Sequence, residues 1–123
     1  MKLVFILSPA LLAAVKVLFL ITSEGERMEM GIKTAYRSVV NGTYEDPKVI
    51  FYGLSQLYLT KIEGELLQTL KELISKNAVD FACVGVARRN GIESKLTSLG
   101  LRLEPFSVRL AYYVNQGYVV VSF

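Results

Sequence analysis

The feature that most constrains the fold of this chain is the alternation of short apolar runs with segments of helical periodicity. Four apolar runs have the length and β-branched content of strands, at residues 15–21, 48–52, 79–84 and 118–123, and residues 101–103 are predicted to form a short further strand. Strands that alternate with helices through short connections form parallel sheets with right-handed crossovers. The sequence therefore predicts an α/β domain whose mainly parallel sheet has about five strands and helices on both faces.

Helical patterns fill the intervals between these runs. Ser23 and Glu26 fit a capping box, which predicts that a helix begins there, and Asn41-Gly42 predicts its end near Val40. Further helices are predicted at 62–74, 92–99 and 107–116, with Asn77 ending the first of these and Ser107 capping the last. The segment 54–60 is ambiguous, and one helical turn over the sheet edge is one interpretation.

Composition excludes several classes of site. The chain has 123 residues and 52% hydrophobic content, which suits one domain with a real core. It has no histidine, so Ser-His-Asp and Cys-His catalytic systems are excluded, and with one cysteine it has neither an internal disulfide nor a CxxC motif. No Gly-rich phosphate-binding motif is present. The net charge of +3 is spread along the chain. We predict no cofactor, no metal and no nucleic-acid partner.

The single cysteine, Cys83, is the strongest candidate for chemistry. It lies near the carboxyl end of the third predicted strand, where α/β folds gather ligands and reactive groups. Arg88 and Arg89 follow in a predicted glycine turn, and nearby cations favour the thiolate, which is the nucleophilic form. An unpaired cysteine is also commonly a small buried hydrophobe. A reactive thiol and an inert core residue therefore both remain open interpretations.

The order and spacing of several segments carry a resemblance to a known family. Residues 17–23, 49–53, 81–85 followed by Gly91-Ile92, and 116–120 together resemble the DsrE/DsrF-like family of sulfur-relay proteins. The resemblance spans residues 15–123. It implies a small flavodoxin-like α/β domain that forms homo-oligomers. In sulfur-carrying members it also implies a persulfide on the cysteine at the position of Cys83, with sulfur donor and acceptor proteins as partners.

Substrate-binding candidates surround this cysteine in the predicted fold. Arg88 and Arg89 would stabilise a thiolate or persulfide anion, and backbone N–H groups of a turn at Gly85 would add a small anion nest. Four further candidates end the first two strands at the same edge: Ser23, Glu24, Tyr52 and Gly53. A helix cap, a solvated charge, strand packing and a turn glycine are the structural alternatives for these four. The alternative function is a non-catalytic oligomeric domain that binds a small anion or a protein at this carboxyl edge.

Residues 1–14 form an apolar extension that does not fit the domain at 15–123. They resemble the basic and apolar parts of a secretory signal, and a hydropathy window extends through Ile21 as a possible membrane span. A span would place Lys16 in hydrocarbon and consume the first strand. A start codon assigned too far upstream is an equal alternative. We expect a cytoplasmic domain without a membrane partner.

Overall fold

The described part of the chain, residues 15–123 of a computed structural model, forms one five-stranded sheet flanked by helices. The strands are β1 (Lys16–Ile21), β2 (Glu45–Phe51), β3 (Val79–Cys83), β4 (Leu103–Glu104) and β5 (Val119–Ser122). The helices are α1 (Gly25–Asn41), α2 (Leu54–Leu59), α3 (Gly64–Ser75), α4 (Val84–Arg89), α5 (Glu93–Ser98) and α6 (Phe106–Asn115). All neighbouring strands are parallel, in the order β4-β3-β2-β1-β5. The predicted α/β class, a parallel sheet of five strands with helices, is confirmed.

The strand order explains why the two faces of the sheet differ. Successive steps from β1 to β4 run in one direction, so right-handed crossovers place α1 to α5 on one face. The step from β4 to β5 runs the other way and places α6 on the opposite face. The first face holds the main core, with buried side chains from all five helices. The second face has a smaller core, made by Leu18, Ile50, Phe81 and Tyr113. Among the described residues, α6 is the helix that packs on that face.

Two predicted helix starts are wrong. Helix α1 begins at Gly25 with Glu24 as its N-cap residue and no side-chain cap hydrogen bond, so Ser23 forms no capping box. The backbone N–H of Ser23 instead donates to the carbonyl of Phe123 at 3.2 Å. Helix α6 begins at Phe106, directly after Pro105, which places Ser107 inside the helix. In both places the helix start is set by the position at which the chain leaves the sheet, and not by the local capping pattern.

The predicted glycine turn after the third strand is also wrong. Cys83 is the N-cap residue of α4, and Gly85, Arg88 and Arg89 all lie within this helix. Gly85 is not among the glycines with positive φ, so its backbone needs no glycine. Burial of Val86 and Ala87 accounts for the helix, because packing overrides the low helix propensity of one glycine. The expected anion nest at Gly85 is therefore absent.

The last strand was expected to be buried, and this prediction is wrong as well. Every residue of β5 is exposed, because it pairs only with β1 among the described residues and lies at the edge of the sheet. Residues 15–123 include no helix with the length and apolar character needed to cross a membrane. The predictions for residues 1–14 lie outside the described residues.

Candidate functional site

Cys83 ends β3 at the carboxyl edge of the sheet, as predicted from the sequence. It is a free cysteine with 8% of its surface exposed. Its backbone carbonyl accepts a hydrogen bond of 2.9 Å from Gln56 Nε2. Its position between β3 and α4 orients the thiol toward the first turn of that helix, where Gly85 lies close to the sulfur. The site is therefore a nearly buried thiol at the point where β3 leads into α4.

The structure separates the two predicted arginine partners. A Cβ atom built on Gly85 would lie 3.6 Å from Nη1 of the exposed Arg89 and 3.8 Å from Cys83 Sγ, so guanidinium and thiol both lie close to this glycine. Arg88 instead lies 3.3 Å from a carboxylate oxygen of Glu93 on α5, with 69% of its side chain exposed. Of the two arginines, Arg89 is the one that the helix brings to the thiol.

Helix α2 joins the carboxyl ends of three strands, a role that the sequence reading of 54–60 missed. Ser55 Oγ donates to the carbonyl of Ile21 at 2.7 Å. Gln56 Oε1 accepts from the Gly53 N–H at 3.0 Å, while its Nε2 donates to the carbonyl of Cys83. Both side chains are fully buried. A glutamine three residues after the helix cap is the sequence signal that would have identified this contact.

The other four predicted site residues have structural contacts of their own. Ser23 binds the Phe123 carbonyl through its backbone, and the exposed Glu24 is the N-cap residue of α1. The Tyr52 ring stacks on Phe106, with ring centroids 3.9 Å apart. Gly53 has φ of 81° and ψ of −131°, which side-chain-bearing residues rarely adopt. For Glu24, Tyr52 and Gly53 these contacts match the structural alternatives of the sequence analysis, whereas the helix cap that was the alternative for Ser23 is not formed. No group of three or more potential metal ligands lies together within residues 15–123.

A second candidate site, not predicted from the sequence, lies at the amino-terminal edge of the sheet. It is a cleft of about 410 Å³ between α6 and the starts of β2 and β3, which we term the amino cleft. Its floor is Asp80, whose side chain is 4% exposed. The pairing register shifts at this point from Val49–Val79 to Ile50–Phe81, so Asp80 occupies a β-bulge. Bulges re-aim side chains and are common beside functional sites.

Asp80 is the acceptor of a four-residue network. One carboxylate oxygen accepts from Arg102, whose Nε also donates to the Asp80 carbonyl at 3.1 Å. The other oxygen accepts from Arg109 Nε and Nη2, at 3.1 and 2.6 Å, and from the Tyr113 hydroxyl at 2.7 Å. The network ties α6 to β3 across the smaller core.

Burial and the hydrogen bonds of this network set the charge states of Asp80 and Tyr113. Burial by itself raises the pKa of Asp80, but hydrogen bonds from Tyr113, Arg109 and Arg102 outweigh burial and hold that pKa below its ordinary value. The pKa of Tyr113 is raised, mainly by burial and next by the hydrogen bond to Asp80. At neutral pH the cleft floor is therefore an ionised carboxylate with a neutral phenol donor and two cationic donors.

The remaining walls of the amino cleft are polar and aromatic. The Tyr118 hydroxyl donates to Asp46 at 2.6 Å, and Lys48 Nζ donates to the carbonyl of Asn77 at 2.7 Å. The guanidinium carbon of Arg109 lies 4.8 Å from the centre of the exposed Tyr112 ring. A lone aspartate in an apolar strand was the sequence signal for this cleft, because buried carboxylates are almost always paired.

Comparisons with known proteins identify the fold but no family. No family model and no curated protein matches the chain. Among solved structures, the chain is similar to a conserved protein of unknown function from Bacteroides thetaiotaomicron. The TM-score is 0.70 at 18% sequence identity, over 86% of this chain and 94% of that one. At this identity the likeness concerns the fold alone.

Proposed function

We propose that this protein is a sulfur-relay protein of the DsrE/DsrF-like kind, carrying sulfane sulfur as a persulfide on Cys83. The observation that carries the proposal is that the Arg89 guanidinium and the Cys83 thiol both lie close to Gly85, 3.6 and 3.8 Å from the position that a Cβ atom would take there. A cation beside a cysteine favours the thiolate, and it also favours the anionic persulfide formed from it. The position at the carboxyl end of a parallel strand supports the same proposal.

The proposed reaction consists of two thiolate displacements. The Cys83 thiolate attacks the outer sulfur of a donor persulfide, a new S–S bond forms at Sγ, and the donor's own S–S bond breaks with its inner sulfur leaving as a thiolate. An acceptor thiolate then attacks the same outer sulfur, and Cys83 leaves as a thiolate. The transferred sulfur keeps its oxidation state throughout. One cysteine is therefore sufficient, and the partners are a donor and an acceptor protein.

The first experiment tests whether Cys83 accepts sulfur at all. The protein is incubated with polysulfide and examined by intact mass, with Cys83→Ser as the control for sulfur bound elsewhere. We expect additions of single sulfur atoms that a reductant removes and that Cys83→Ser lacks. A wild-type protein that stays unmodified would show that the thiol is an inert core residue, since 8% exposure also suits that role.

The second experiment tests the role of the cation, and the chain offers a matched pair of variants. Arg89→Gln and Arg88→Gln remove the same charge from adjacent positions of α4, but only Arg89 flanks Gly85. We expect Arg89→Gln to slow alkylation and sulfur loading of Cys83 by about threefold or more, and Arg88→Gln to change them by less than about twofold. Equal effects of the two variants would exclude a specific role for Arg89.

A methyl group at Gly85 probes the same contact without removing charge. Its Cβ would make ordinary van der Waals contacts with both Arg89 and Cys83, so the helix accepts it. We expect Gly85→Ala to slow sulfur loading while stabilising the fold by up to about 1 kcal/mol, because alanine is the better helix former. Faster loading in this variant would contradict the proposed contact.

We also propose that the protein is a homo-oligomer that assembles through the edge of β5. This strand consists of three valines and a serine, all exposed, and carries no charge or proline that would block pairing. Its outer backbone N–H and C=O groups have no strand partner among the described residues. A second copy offers an identical uncharged edge, and antiparallel pairing of the two copies of β5 about a two-fold axis would satisfy both.

A further inference from the structure

At the floor of the amino cleft, two arginines donate hydrogen bonds to a single buried carboxylate. Asp80 accepts from both Arg102 and Arg109, and the half-exposed Glu104 lies 3.9 Å from Arg102 Nη1. Networks of this kind are not a strong source of stability, because desolvation of buried charge offsets their attraction. What the network does supply is orientation, since Asp80 fixes the planes of both guanidinium groups at the cleft floor.

Both arginines retain donors that the network does not use. A guanidinium group has five N–H donors, and Arg109 uses only those on Nε and Nη2. Its Nη1 makes no hydrogen bond within residues 15–123. Arg102 likewise uses Nε and Nη2, while its Nη1 lies 3.9 Å from Glu104, beyond hydrogen-bond distance. Each arginine is thus anchored on one edge and has donors available on another.

The charges that line the amino cleft favour an anion over a cation. Lys48 adds a third basic side chain, and the acidic ones are Asp80, which is fully engaged, and Asp46. Asp46 accepts from Tyr118 and lies 3.6 Å from Lys48, so its charge is also partnered. The lining therefore has three basic side chains and two carboxylates, while Glu104 lies outside it, 3.9 Å from Arg102.

The dimensions and aromatic wall of the cleft suit a small molecule. Its volume of about 410 Å³ falls in the range of about 300–1,000 Å³ found for ligand pockets. The Tyr112 ring, held against Arg109, presents an exposed aromatic surface beside the donors. We propose that the amino cleft binds a small oxyanion, a phosphate, sulfate or carboxylate group, through the unused donors of Arg102 and Arg109.

The proposal is tested by titrating inorganic phosphate into the full-length protein and following the arginine Nε–H resonances by NMR. We expect saturable shifts of the Arg102 and Arg109 resonances with a dissociation constant in the millimolar range or below, and no saturable shift of Arg88. Shifts that fail to saturate, or that are equal at Arg88, would overturn the proposal, because they indicate general screening of surface charge.

Arg102→Gln and Arg88→Gln form the matched pair for this site. Both arginines are exposed and contact carboxylates, so both changes remove one charge at a solvated position. We expect Arg102→Gln to weaken phosphate binding about tenfold, the loss of one hydrogen bond to a charged group, and Arg88→Gln to leave it unchanged. An equal loss in both would overturn the proposal. Cys83→Ser should leave phosphate binding unchanged, which separates this site from the proposed sulfur chemistry.

Phenyl phosphate and acetate distinguish the sources of the oxyanion. If phenyl phosphate binds more tightly than inorganic phosphate and Tyr112→Ala removes the difference, the ligand is an organic phosphate whose body lies on that ring. If the two bind equally, the ligand is an inorganic oxyanion. If acetate competes at similar concentration, a carboxylate is the group recognised. Absence of saturable binding by all three probes would show that the arginine network only fastens α6 to the sheet.

Discussion

Replacing Asp80 by asparagine removes the charge of the network while preserving its shape. The amide oxygen can occupy the position that accepts from Arg109 and Tyr113, and the amide nitrogen then faces Arg102, which is 59% exposed and can turn to water. The substitution therefore removes the hydrogen bond from Arg102 and weakens those from Arg109 and Tyr113, which no longer bind a charged acceptor. The smaller desolvation cost of a neutral side chain offsets part of this lost stability. We expect a loss of about 2–3 kcal/mol at pH 7.

The pH dependence of this loss identifies its cause. A carboxyl whose pKa is lowered by folding binds protons more weakly in the folded state than in the unfolded chain. Its contribution to stability is therefore present above the unfolded pKa of about 3.9 and is lost as pH falls through the lower folded value. The difference between wild type and Asp80→Asn should shrink as pH falls below about 4, while remaining constant between about pH 6 and 8.

Urea denaturation followed by circular dichroism, at neutral and acidic pH, measures both quantities. At neutral pH the expected loss corresponds to a fall in Tm of about 10 °C for a domain of this size. Asp46→Asn is the control, because Asp46 is exposed, is also paired with a lysine and a tyrosine, and has a φ of 48° that asparagine tolerates. It should cost less than about 1 kcal/mol. A difference for Asp80→Asn that persists unchanged in acid would refute the electrostatic explanation.

Three further predictions concern the core, alkaline pH and assembly. Tyr113→Phe should lower the free energy of unfolding by about 1.5–3 kcal/mol at pH 7. Above about pH 10 this variant should lose less stability than wild type, because the raised pKa of Tyr113 makes the folded state resist ionisation. If urea titrations show the same dependence of stability on pH for both proteins across that range, the prediction is wrong. Gly31→Ala should lower Tm, because the new Cβ would lie 3.0 Å from the Phe123 side chain. The cost of overpacking, about 1–3 kcal/mol, exceeds the gain in helix propensity of about 1 kcal/mol. A higher Tm would show that Phe123 moves aside freely. Val120→Lys should convert the proposed oligomer to monomer in light scattering, and a wild-type protein that is already monomeric at micromolar concentration would rule out assembly through β5.

The sequence by itself determined the elements and their class, because these depend on local patterns. Apolar runs of strand length and helical periodicities repeat within short windows, and parallel strands need crossover helices whatever the rest of the chain does. The end of α1 at Gly42, in left-handed backbone, followed from the residue type alone. The place of Cys83 at the end of β3 followed from the same local reasoning.

Only the tertiary structure decided which side chains meet. Arg88 and Arg89 are adjacent in sequence, and the phase of α4, which sends one toward Glu93 and the other toward Gly85, depends on burial of that helix against the core. The exposure of β5 follows from the reversal of strand order at the last crossover. The partners of Asp80 lie 22, 29 and 33 positions further along the chain. Contacts at such separations are set by how the helices pack on the sheet, and no local pattern specifies them.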